Sequence, residues 1–303
     1  MNAPIVALAA LAGFSVGVGF VRWLMPLVVV RAAVVAALAT PLLAMGYGAW
    51  ELARGEVGWP ELTLFATLFV LTGFGTTIGY HRLLAHRSFE TSGAVKAVLL
   101  VLGAMGLPTK PLDFVAHHLK HHAHSDRAGD PHSPLDGLLH AHVGWFVIGR
   151  EPAERDRYCR HLRDDPVVRF VDRTTMVWVG VGLGLPFLLD GWQGLLWGGL
   201  IRLAVSNNAT FAVNSIGHRF GSRPFATNDE SRNNLLVALV SLGEGWHNNH
   251  HAFPTSASHG FGWRQPDASG LVIGLLARLG LVWNVKRVPP TRAKRRRRVA
   301  EPA

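Results

Sequence analysis

The 303-residue chain reads as an all-α integral membrane protein, with four transmembrane helices in two hairpins beneath a histidine-rich helical cap. Three observations predict this. Hydrophobic residues make up 49% of the chain and the mean hydropathy is positive, too apolar for an ordinary soluble domain. The apolar residues gather into runs close to the roughly 20 needed to cross a hydrocarbon core. The clustered histidines lie at the ends of those runs or in the segments between and after them.

In chain order, residues 3–21, "APIVALAALAGFSVGVGFV", are apolar but lack the basic n-region of a signal peptide. A fifth span and a helix at the membrane edge both fit, so the topology of residues 1–24 stays open. The main domain is 25–290. Its first spans are placed at about 27–50, with Arg31 snorkelling, and 61–80, joined by the acidic turn "ELARGEVGWPE". A second hairpin is expected at 174–189 and 192–213 around "LLDGWQG". Segments 81–173 and 214–290 each follow an even number of crossings and therefore meet in one cap. They hold most of the lysine and arginine, which places the cap in the cytoplasm and suits a bacterial inner membrane. Residues 93–107 are apolar but short and carry Lys96; they are read as buried or interfacial, since a crossing would put the first two histidine motifs on opposite sides. The tail 291–303, "TRAKRRRR" and beyond, is expected to be disordered. Much of the net charge of +10 lies there, beside membrane spans, where it answers to the positive-inside rule rather than to nucleic acid.

The single cysteine, Cys159, excludes an internal disulfide framework and thiolate-rich metal sites, so any metal must take nitrogen or oxygen ligands. "HLKHH" at 118–122 and "HNNHH" at 247–251 share the spacing HxxHH. Residues i, i+3 and i+4 share a helix face, so His118, His121 and His122 can converge, as can His247, His250 and His251. At this histidine content one such motif is expected roughly 0.04 times by chance, and two about once in a thousand chains. Chance is therefore set aside. His81 and His86, in "HRLLAH", stand roughly 140° apart on an α-helix, so they serve two metals or mark a fraying helix end. Asn214 and His218, in "NSIGH", close the fourth span at matching depth. The histidines at 117, 124, 132, 140, 142, 161 and 259 are read as ordinary hydrogen-bonded residues. Nine imidazoles exceed the needs of one metal. Two metals in a nitrogen-rich shell at a membrane face suggest oxygen activation against a lipid chain. Ligand type and count do not fix the reaction.

The motifs "GYHRLLAHRSF", "HLKHH", "HSDRAGDPHSPLDG", "HVGWF", "NSIGH" and "GEGWHNNHHAFP" resemble the membrane fatty-acid desaturases of the stearoyl-CoA (Δ9 acyl-CoA) type, bacterial form. The likeness runs from about residue 60 to 290. It implies two irons held by His81, His86, His118, His121, His122, His218, His247, His250 and His251, with Asn214 acting through a water. It implies a kinked tunnel for a saturated acyl chain, with acyl-CoA as substrate. It also implies a reaction that takes O2 and two electrons, removes two hydrogens and leaves a cis double bond and two waters. Bacterial relatives usually show tryptophan and arginine near the second motif, where this chain has Phe114 and Leu119, and His117 is an extra imidazole there. The residues after 260 are too few for a fused cytochrome b5 domain. Electrons are therefore expected from a separate ferredoxin, rubredoxin or cytochrome b5-type protein with its reductase.

Two rival readings make different demands. Hydroxylases and alkane monooxygenases with similar diiron centres commonly have one residue fewer between the first two histidines. Metal transporters place ligands at the bilayer midplane, whereas these lie at span ends and in the cap. Glu244 and Asp130 are candidates to orient imidazoles, and Thr72, Gly73 and Thr76 to line the tunnel, although such small residues also permit close helix packing.

Overall fold

The structure, a computed structural model, describes residues 27–107, 109–148, 153–289 and 291. Residues 1–24, the Arg31 side chain and the tail beyond 291 lie outside the described part, so the expectations for them are untouched. The fold is mostly helical. Helix α1 is Leu27–Arg54, and α2 is the continuous run Trp59–Ala85. Gly58 and Glu61 start α2: the Glu61 carboxylate accepts from the Gly58 amide at 2.9 Å, and Pro60 occupies the first turn, where its missing N–H costs nothing. Helices α3 (Gly93–Gly106) and α4 (Pro111–His124) meet at 83°.

The next helical run, Pro166–His218, is too long to be one crossing. It breaks at Asp190 and Gly191, whose backbone angles are non-helical, into arms we label α5 (166–189) and α6 (192–215). The arms run antiparallel. Arg202 Nη2 donates to Gly182 O at 3.0 Å, and a Cβ on Gly199 would touch Leu183. Glu51, buried near the end of α1, accepts from Gln193 Nε2 at 2.9 Å and Trp197 Nε1 at 3.1 Å, which ties the two hairpin ends together.

Among the described residues, Trp59–Ala85 and Pro166–His218 are long and apolar enough to cross a membrane, with the bent pair α3–α4 as a further candidate. One face of α3, with Leu99, Leu100, Gly103 and Ala104, is buried against α2 and α5. The crossing depends on glycine: a Cβ on Gly75 would run into the backbone at Gly103. Lys96 is neutralised by Asp165 Oδ2 at 2.5 Å.

The cap adds α7 (Leu235–Val240), α8 (His247–Ala252) and α9 (Ala268–Arg278). A two-stranded antiparallel sheet, β1 (Glu90–Thr91) with β2 (Val282–Trp283), pairs Glu90 with Trp283 and Thr91 with Val282. It fastens the segment after α9 to the segment leaving α2.

Candidate metal centre

The last eleven residues of α2, Gly75–Ala85, wind as a π-helix. Its i→i+5 hydrogen bonding widens the turn, and the His86 amide donates to His81 O at 3.1 Å. Residues five apart therefore share a face. The 140° separation expected of an α-helix therefore does not hold, and His81 and His86 enter the same cluster.

The nine motif histidines collect into two groups. His81, His86, His118, His122 and His250 form one, and His121, His218, His247 and His251 the other; within each, one ring nitrogen per residue lies within 4.8 Å of all the rest. Adjacent residues of each HxxHH motif are thus divided between the groups, His121 from His122 and His250 from His251. Asn214, one helical turn before His218, lines the adjoining cavity. His117 joins neither group and packs its ring edge on Trp145.

Carboxylates hold the outer nitrogens. His81 Nδ1 lies 2.7 Å from Glu244 Oε2, His121 Nδ1 3.0 Å from both Asp130 oxygens, His218 Nδ1 2.8 Å from Asp126 Oδ2, and His251 Nδ1 2.9 Å from Asp229 Oδ2. The hydrogen bonds from Asp130, Asp126 and Asp229 fix the proton on Nδ1 of His121, His218 and His251 and leave their Nε2 lone pairs facing inward, while Glu244 lies against His81 as an ion-pair neighbour. The carboxylates are themselves anchored. Asp130 Oδ2 accepts from the Asp126 amide, and Asp126 Oδ2 from the Glu230 amide. Glu244 Oε1 accepts from fully buried Arg82, whose Nη1 and Nη2 also bond Asp267.

This arrangement fits a metal cation. Nε2 atoms face one another at 3.2 Å for His81 and His250, and at 2.9 Å for His122 and His250. The other group has 2.9 Å for His218 and His247, and 3.1 Å for His251 and His247. With His218 and His251 protonated on Nδ1, their Nε2 lone pairs converge on that of His247, and one shared proton cannot satisfy the set. His121 Nε2 is buried without a hydrogen-bond partner. Burial, reinforced by the neighbouring imidazoles, pushes His86, His247, His250 and His251 well below the usual histidine range, which keeps them neutral and able to ligate. Burial also acts to raise Glu244, but His81, Arg82 and His259 outweigh it and hold the carboxylate well below its usual range.

A cavity opens beside the groups. His81, His118 and His247 line it, as do Thr72, Gly73 and Thr76, the residues expected for the tunnel. They also serve packing, since Leu242 lies over Gly73. Phe69, Phe146 and Phe211 supply apolar wall.

Sequence reasoning found Glu244 and Asp130 but missed Asp126 and Asp229. "HSDRAGD" offered a signal for Asp126, two residues after the histidine-rich helix; Asp229 in "NDE" carried none. His259 was also passed over. It is fully buried, with Nδ1 3.2 Å from Glu244 Oε2 and its ring 4.5 Å from that of His250. His132 packs its ring 4.4 Å from that of His121. His142 and His161 behave as ordinary hydrogen-bonded residues, the first between Asn208 and Ser215, the second on Leu84 O.

Comparison with known proteins agrees with this geometry. Residues 58–265 match the family model described as fatty acid desaturase. A hex-5-enoyl-(acyl-carrier protein) acetylenase of Moorena producens (strain JHB) is 40% identical over 247 residues, covering 75% of this chain and 77% of that protein. An sn-1 stearoyl-lipid 9-desaturase of Anabaena variabilis is 38% identical over 232 residues, covering 75% and 85%. An acyl-CoA C20 Delta5-desaturase of Anemone leveillei is 36% identical over 248 residues, covering 80% and 79%. The chain belongs to the fatty acid desaturase family and is an oxidoreductase acting on fatty acyl chains.

Proposed function

We propose that the protein inserts a cis double bond, at Δ9, into a saturated acyl chain presented on coenzyme A. The observation that carries this reading is the pair of inward-facing imidazole groups at the head of a cavity beside membrane-length helices. Two iron ions held by the nine histidines, with Asn214 contributing through a water, would supply the activation of O2. The overall change is balanced by O2, two electrons and two protons in, two hydrogens removed from adjacent carbons, and two waters out. The protein's part is placement. Asp126, Asp130 and Asp229 hold ring protons on the outer nitrogens, Glu244 lies against His81, and the aromatic wall of the cavity excludes bulk water and holds the chain.

Four crossings, α1, α2, α5 and α6, beneath a cytoplasmic cap complete the proposed architecture, in a bacterial inner membrane. Electrons come from a separate ferredoxin, rubredoxin or cytochrome b5-type protein. Δ9 is supported by the stearoyl-lipid 9-desaturases among the relatives. The carriers in the relatives' names divide among lipid, coenzyme A and carrier protein, so purified enzyme should be offered the same chain on each. The decisive test is the fatty-acid profile of cells expressing the chain against a His250→Ala control, with double bonds mapped. A cis-monounsaturated acid present only with the intact site is expected. A hydroxy acid in its place would refute desaturation.

A further inference from the structure

Two short cap elements carry no charge and lie at the level of the spans. Residues 235–243 read "LLVALVSLG", and 268–277 read "ASGLVIGLLA". Both are tied to α2 below the metal centre. Leu242, held at φ 57°, lays its side chain over Gly73, where a Cβ would lie 2.6 Å from Leu242 Cδ1. Ser269 Oγ lies 2.7 Å from Thr77 Oγ1. Gly73 and Thr77 precede His81 by eight and four residues, so they lie about two turns and one turn further into the span.

The inner faces are packed: Val237, Ala238 and Ile273 are buried. The outer faces are apolar and uncovered, with Leu236 74%, Leu239 54%, Leu271 74% and Leu275 54% exposed. Removing large aliphatic side chains from water is favourable, so this surface left in water would forgo that gain at each of the four leucines. At the same level α2 exposes Val70 and Leu71, which continues the apolar surface into the span.

We infer that α7 with its following turn, and α9 as far as Leu275, are sunk into the bilayer, so that lipid rather than cytosol covers their outer faces. The cap is seated in the membrane instead of standing above it. Val240, Ser241 and Leu242 also line the acyl cavity, so this inserted segment is a wall between the cavity and the surrounding lipid.

Nitroxide labels at Leu236→Cys and Leu275→Cys test this in the full chain in vesicles. A Cys159→Ala background removes the one native thiol, which is buried. Collisions with O2 should exceed those with a water-soluble nickel chelate, as at Leu71→Cys within α2. Nickel collisions equal to those at exposed Arg160→Cys would overturn the inference. Shielding from both reagents would overturn it as well, in favour of a protein partner or a second copy. An aqueous pattern at Leu71 itself would overturn it together with the span. Leu239→Cys and Leu271→Cys give independent readings if either first variant fails to fold.

Discussion

Asp229→Asn isolates the role of a carboxylate behind a ligand. Asp229 Oδ2 lies 2.9 Å from His251 Nδ1, while Oδ1 closes a local turn by accepting from the Ser231 amide at 3.0 Å and Thr227 Oγ1 at 2.9 Å. Asparagine keeps the shape but has one acceptor. If its oxygen serves the turn, its NH2 meets the His251 N–H; if it flips, the NH2 meets the Ser231 N–H. The first arrangement is the better one, because the turn uses several bonds. His251 then moves its proton to Nε2 and turns a donor toward His218, His247 and His121. Loss of such an outer partner weakens metal binding about 10–100-fold, or roughly 1.4–2.7 kcal/mol at 1.36 kcal/mol per decade. The assay is iron retained per chain under a graded chelator, with thermal unfolding of the metal-free protein as control. One iron should leave early, the other should hold, and the metal-free transition should not move. Equal retention of both irons would show that Asp229 does not set the His251 tautomer.

Further outcomes follow from the same geometry. His121→Ala and His250→Ala should each abolish turnover while leaving membrane insertion intact, since they remove one imidazole from different groups; full turnover with normal iron would remove that residue from the ligand set. Glu244→Ala leaves fully buried Arg82 paired with Asp267 and Ala257 O but strips the acceptor from its Nε–H, which should cost about 1–3 kcal/mol, read by thermal unfolding in detergent. An unshifted transition would contradict the buried network. His86, His247, His250 and His251 are held below the usual histidine value, so the unfolded chain binds protons first as pH falls. Metal-free protein should therefore lose stability as pH drops below about 6.5, and a flat profile from 7.5 to 5.5 would refute that. Thr76→Phe should fill the cavity beside α6 and shift products toward shorter chains, whereas an unaltered chain profile would exclude Thr76 from the tunnel.

Much of the site was legible because it is local. An HxxHH motif on a helix declares its own face, but the triads do not converge as their spacing suggested: His121 parts from His118 and His122, and His250 from His247 and His251, because each helix runs between the two groups. The apolar runs and the turn at "LLDGWQG" likewise report short-range chemistry. What escaped was set by long-range packing. The wide winding of Gly75–Ala85, which puts His81 and His86 on one face, has no signature in "GTTIGYHRLLA" that separates it from an ordinary helix. Asp126 finds His218 across 92 residues, and His259 reaches Glu244 only because the chain folds back after α8. The bond between Thr77 and Ser269 spans 192 residues and sets the depth of α9. A lone histidine or aspartate gains meaning only from what the fold sets against it.

The central claim is that nine imidazoles form two metal sites rather than one. Iron counted per chain in the purified protein, alongside His218→Ala and His250→Ala, tests it most directly. The account predicts two irons in the intact protein, with each variant weakening a different one, because His218 belongs to one group and His250 to the other. A single iron in the intact protein, or variants that deplete the same iron equally, would contradict it.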